Sequence, residues 1–171
     1  MKKLFALLLA LCLLGSVAMA DELTWDAVAE TAAQIDGDFQ TFDEIAVKIW
    51  MPAVLKAVEL TDEDREAGYI GYFMTDDQSA AVAVMYVDMN GMTLEEYEAE
   101  LQNDEGVSDI EAGSVNGLAT LSYAIKERDA GVLAFTTQAG YILEVVCGPL
   151  PDDSAKIGAG VILASIQATA E

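Results

Sequence analysis

The feature that most restricts this chain is a run of short alternating segments in its second half, each ended by residues that make tight turns. Val107 to Val115, Leu118 to Glu127, Val132 to Gln138 and Tyr141 to Cys147 are separated by Asn116-Gly117, Arg128-Asp129-Ala130-Gly131 and Ala139-Gly140. Period-two alternation marks strands, and Asn-Gly between two of them is the strongest short hairpin signal, because a type I′ turn needs φ > 0 at both central residues. Strands joined so closely pair antiparallel. The first half repeats the pattern. Phe39, Phe42, Ile45, Val47 and Ile49 flank an Asp43-Glu44 turn in a hairpin closed by Pro52, and Tyr69 to Thr75 and Ala80 to Asp88 flank the turn formers Asp76-Asp77-Gln78-Ser79.

Three helices are expected among these strands. Trp25, Val28, Ala32 and Ile35 have helical spacing, with Thr24 as N-cap and Gly37 as a stop. Thr93 and Glu96 form a capping box before Leu94, Tyr97 and Leu101, which share one face. Asp152 or Asp153 caps a closing helix over Ala155 to Ala168, with Ile157, Val161, Ala164 and Ala168 inward and with Gly158 and Gly160 accounted for by close packing on the sheet. A single helical turn capped by Thr61 or Asp62 and ended by Gly68 lies between the first two hairpins. The expected fold is therefore α+β, one antiparallel sheet flanked by helices in the order α-ββββ-α-ββββ-α.

The N-terminus reads as a secretory signal peptide over residues 1–20. Lys2 and Lys3 precede an apolar run from Leu4 to Leu14, and Ala18-Met19-Ala20 is a small-residue cleavage site. The run is too short to span a bilayer, which takes roughly 20 residues. Cys12 sits inside that run after Leu11, which is unlike a lipoprotein site, so a free extracellular protein is expected. The remaining residues, 21–171, form one domain. Cleavage leaves a single cysteine, Cys147, so the fold stands without an intramolecular disulfide.

Charge and composition exclude much chemistry. There is no histidine, hence no histidine base, catalytic triad or histidine-ligated metal. The 30 Asp+Glu against 8 Lys+Arg give −22, and losing Lys2 and Lys3 with the leader makes that −24. Nucleic acids and anionic membranes are thus not expected partners. Basic proteins or peptides are, as is a cell-wall component. The acidic residues Asp62, Glu63, Asp64, Asp76 and Asp77 are the candidate interaction surface. No cofactor or metal is expected, since Asn90-Gly91 lacks the acidic ligands that an EF-hand places at either end of its loop. Cys147 reads as a core residue, and Ser122 and Ser165 have no activating base. Trp50, Tyr69, Tyr72, Tyr123 and Tyr141 are core aromatics or the lining of a partner surface.

Several stretches resemble a known family. QTFDEIAVKIWMP, GYIGYF, NGLATLSY, GYILEVVCGP and ILASIQ are similar to small secreted domains of unknown function from anaerobic Gram-positive bacteria, which look like members of the PsbP-like fold. That fold is an α/β/α sandwich shared by a photosystem extrinsic protein and a Ran-binding nuclear transport factor. The resemblance runs from Trp25 to Gln167 and rests on turn glycines, a strand-ending proline and apolar core positions, so it implies a fold and no activity. Three functional readings follow. The first is a secreted acidic binding domain without enzymatic activity. The second is an extracellular hydrolase working through two carboxylates about 5 to 10 Å apart. The third is a subunit that assembles through an uncharged sheet edge.

Overall fold

A computed structural model describes residues 22–169; the leader and Cys12 lie outside the described residues. Among the described residues ten strands form two antiparallel sheets. The larger has seven strands in the order β3-β4-β5-β9-β8-β7-β6, and the smaller has three, β1-β2-β10. They are β1 (Gly37–Phe42), β2 (Val47–Pro52), β3 (Lys56–Ala57), β4 (Tyr69–Met74), β5 (Ala81–Asp88), β6 (Val107–Val115), β7 (Leu118–Ile125), β8 (Ala130–Thr136), β9 (Ile142–Gly148) and β10 (Gln167–Ala168). The helices are α1 (Trp25–Ala32), α2 (Asp62–Glu66), α3 (Leu94–Leu101) and α4 (Asp153–Ala164). The strand and helix order roughly matches the expectation: α2 stands where a single capped turn is expected and β3 and β10 are additional, but the strands divide between two sheets where one is expected.

The first hairpin does not join the main sheet. β2 alternates two apolar faces, so it can be covered on both sides: Val47, Ile49 and Met51 pack into the main core, while Trp50 turns toward α1 and α4. Periodicity reveals such a hairpin without saying which sheet it enters. The closing helix is also shorter than its spacing suggests. It ends at Ala164, and Gln167-Ala168 pairs with Lys48 and Val47 as β10, leaving Ala168 exposed. Gly158 is not a packing glycine, because a Cβ there would meet nothing within 4 Å. Gly37 is one: a Cβ would lie 2.5 Å from the Trp50 ring.

Asn116 does more than turn the chain. Asn116 and Gly117 adopt φ of 48° and 81°, as a type I′ hairpin requires. The Asn116 Oδ1 also accepts from the Trp25 backbone N–H at 2.7 Å, and its Nδ2 donates to the Ala164 and Ile166 carbonyls, both at 2.8 Å. The start of α1 is thus capped from a distant turn, and the Thr24 side chain makes no cap hydrogen bond. Ser165 acts similarly. Its buried Oγ accepts from the Trp50 N–H at 2.8 Å and donates to the Ile162 carbonyl at 2.6 Å, tying β2 to the end of α4.

The two faces of the seven-stranded sheet are treated differently. Val82, Val84, Leu133, Phe135, Leu143, Val145 and Cys147 face the small sheet and α4, forming the largest core. On the opposite face α3 lies over β6, β7 and β8. Tyr97 and Leu101 of α3 pack there on Leu121, Tyr123, Val132, Ala134 and Ile142. Among the described residues the main contacts of α3 stop at β8, and α2 is the helix that meets β4.

Candidate functional site

Strand registers lay out the α3 side of the sheet in rows. One row runs Tyr72, Ala83, Val146, Val132, Tyr123, and the next runs Tyr69, Met85, Glu144, Ala134, Leu121. A third holds Met74 and Ala81. The right-hand members are buried under α3. Tyr69, Tyr72, Met74, Ala81, Ala83, Met85 and Val146 stay partly exposed, forming an apolar surface on β4, β5 and β9. The rings of Tyr69 and Tyr72 meet edge to face at 6.4 Å.

Glu144 stands at the boundary between covered and uncovered halves. It is 6% exposed, in the middle of a central strand. Its Oε1 accepts from the Tyr97 hydroxyl at 2.5 Å and from the Tyr123 hydroxyl, and the two hydroxyls lie 3.2 Å apart. Ala134 beside it supplies the space into which the two phenols converge. Burial pushes the Glu144 carboxyl above its usual range, and the two donated hydrogen bonds offset part of that. Burial and the nearby carboxylate hold both phenols protonated well above neutral pH. The cluster therefore has one acid that titrates and two donors that do not.

The acidic residues singled out by sequence do not meet in one place. Asp62, Glu63 and Asp64 form the first turn of α2, where Asp64 completes a capping box with Thr61, and α2 leads into the start of β4. Asp76 and Asp77 lie in the turn after β4, where Asp77 accepts from Thr75 and Ser79 hydroxyls. Six strand residues, roughly 20 Å of rise, separate the two groups. They lie at the two ends of β4 rather than forming a single patch. Asp88 and Glu96 continue the rim, Asp88 accepting from the Asn90 and Met92 N–H groups and Glu96 closing the Thr93 capping box.

Of the aromatics, Trp50 and Tyr123 are buried, whereas Tyr69, Tyr72 and Tyr141 are partly exposed, Tyr141 packing on Tyr86 at 5.8 Å. Cys147 is buried in the core, with its thiol pushed up to about 12 by burial. An open cleft of about 280 Å³ runs between β1 and the β3-β4 edge, lined by Gln40, Phe42, Leu60, Arg65, Ile70 and Tyr72, the last of which it shares with the apolar surface. Among the described residues no group of three or more acids and cysteines is arranged to hold a metal, and no helix is long and apolar enough to cross a membrane.

Glu144 was within reach of sequence reasoning. It is the sole charged residue in the apolar run from Tyr141 to Gly148, and a charge inside a central strand implies a buried partner. Its partners, one on α3 and one on β7, become visible only when the sheet is assembled.

No family model and no curated protein matches the chain. Among solved structures, the fold is similar to that of cyanobacterial PsbP (CyanoP) from Synechocystis sp. PCC 6803. The TM-score is 0.56 at 14% sequence identity, over 91% of this chain and 98% of that one. The chain thus has a PsbP-like α+β fold. At that identity the likeness fixes the architecture and leaves the function to the site.

Proposed function

We propose that this protein is a secreted, non-enzymatic binding domain that takes a basic, partly apolar protein or peptide on the uncovered face of β4, β5 and β9. The observation carrying this reading is the combination of tyrosine, methionine and alanine side chains on a helix-free sheet face with carboxylates at both ends of β4. Apolar contact supplies affinity, and the carboxylate rim selects for cations and speeds encounter. The hydrolase alternative needs a second carboxylate about 5 to 10 Å from the buried one. What favours binding over it is that Glu144 is braced by two phenols that stay protonated. Assembly through an edge of the seven-stranded sheet is also disfavoured. β3 has two residues, and β6 carries Asp109 and Glu111 with a register shift between Ser108 and Glu111.

The test is calorimetric titration of the protein with an amphipathic lysine-leucine peptide, alongside an all-lysine peptide of equal charge. Binding of the amphipathic peptide that survives moderate salt, and is lost on Ala83→Glu, is the expected result. Equal, salt-labile binding of both peptides would leave only a diffuse acidic surface and refute the reading.

A further inference from the structure

We propose that the second carboxyl oxygen of Glu144, Oε2, is the anchoring point for one cationic side chain of the partner, an amine or guanidinium whose aliphatic stem lies along Met85 and Tyr72. This rests on the docking face proposed above and assigns its charge-selecting residue.

Geometry carries the assignment. Both donors to Glu144 come from the covered side, Tyr97 from α3 and Tyr123 from β7, and both engage Oε1. Among the described residues Oε2 takes no hydrogen bond and is not fully buried, within a side chain that is 6% exposed overall. On the strand's other flank lies Met85 of β5, within the uncovered face. A carboxylate that is nearly buried, braced by two phenols on one oxygen and open on the other, is a rigid, poorly hydrated acceptor. Such a site favours a charge-assisted hydrogen bond over the loose pairing available to the exposed rim acids.

The surroundings add no rival charge at close range. From α3 comes Tyr97, with Glu100 of the same helix acting on it through space, and from β7 comes Tyr123. β5 and β8 present Met85 and Ala134 at this position, and Val107 and Ile110 of β6 are apolar. Since burial raises the Glu144 carboxyl, a bound cation would favour its ionised form, and binding would release a proton.

The test uses hexylguanidinium, hexylamine and hexanol as probes, titrated into the purified protein while methionine-methyl and tyrosine NMR signals are followed. Both cations should bind at least tenfold more tightly than the alcohol and shift the Met85 and Tyr72 signals. E144Q, which keeps an acceptor for both phenols, should reduce the cations to the affinity of the alcohol. The double change Asp26→Asn with Glu30→Gln, two exposed acids on α1, which packs against Trp50 and α4 away from this face, should leave that preference within about twofold. Cation preference that survives E144Q would overturn the anchor while leaving the docking face intact. Failure of all three probes to shift Met85 or Tyr72 would overturn the face and the anchor together.

Discussion

At the scale of single residues the structure makes opposing demands on its carboxyl groups. Glu144 is buried, which raises its carboxyl. The folded state therefore holds this proton more tightly than the unfolded chain does. The stability this provides is complete below the unfolded carboxylate range and is lost as pH rises through the folded value. Asp64, Asp77, Asp88 and Glu96 are exposed and lowered by hydrogen bonds from Thr61, from Ser79 and Thr75, from Met92 and Asn90, and from Thr93 respectively, with Asp77 at about 2. Their contribution is present above the unfolded range and disappears as pH falls through the lowered values. Thermal melts should thus show the melting temperature rising as pH falls through the raised Glu144 value, then falling as pH drops through the lowered values of the other four. E144Q should raise the melting temperature at pH 8 by a few degrees and flatten the rise toward pH 5. Screening of the large negative charge lifts wild type and variant alike, so the difference between them isolates Glu144. Removing a donor acts oppositely: Tyr123→Phe should cost about 1–3 kcal/mol, and more at pH 8 than at pH 5, because the ionised carboxylate loses a partner.

Elements are held by devices that local patterns reveal unevenly. The capping box of α3 is legible from Thr93 and Glu96 alone, and both of its hydrogen bonds form. Thr93→Ala should cost about 1 kcal/mol by chemical denaturation and loosen the helix that carries Tyr97. The Asn116-Gly117 hairpin is equally legible, but the same asparagine fastens α1 and the end of α4 across more than ninety and nearly fifty residues of sequence. Nothing in its neighbourhood announces those partners. Asn116→Ala should cost about 2–4 kcal/mol, combining three lost hydrogen bonds with a left-handed backbone. Asn116→Gly keeps the turn and should cost less, which separates the two effects. For Gly158 the expectation reverses. It lies inside α4 with open space around its α-carbon, so Gly158→Ala should stabilise by about 0.5–1 kcal/mol in the same assay.

Across the whole molecule, alternation and turn residues were enough to order the strands and place three helices, because each hairpin is local. Sheet membership was not legible, since β2 is apolar on both faces and the register of β10 depends on where α4 stops. The site was half legible. Asp62, Glu63, Asp64, Asp76 and Asp77 stand out by charge, yet only the sheet shows that they lie at the two ends of β4, and only the position of α3 shows where its cover stops. The most direct measurement is NMR mapping of the amphipathic lysine-leucine peptide on the protein at moderate salt. The account predicts shifts concentrated at Tyr72, Met74, Ala83, Met85 and Val146, persisting as salt is raised. Shifts confined to the acidic turns and lost in salt, or gathered in the cleft around Phe42 and Arg65, would contradict it.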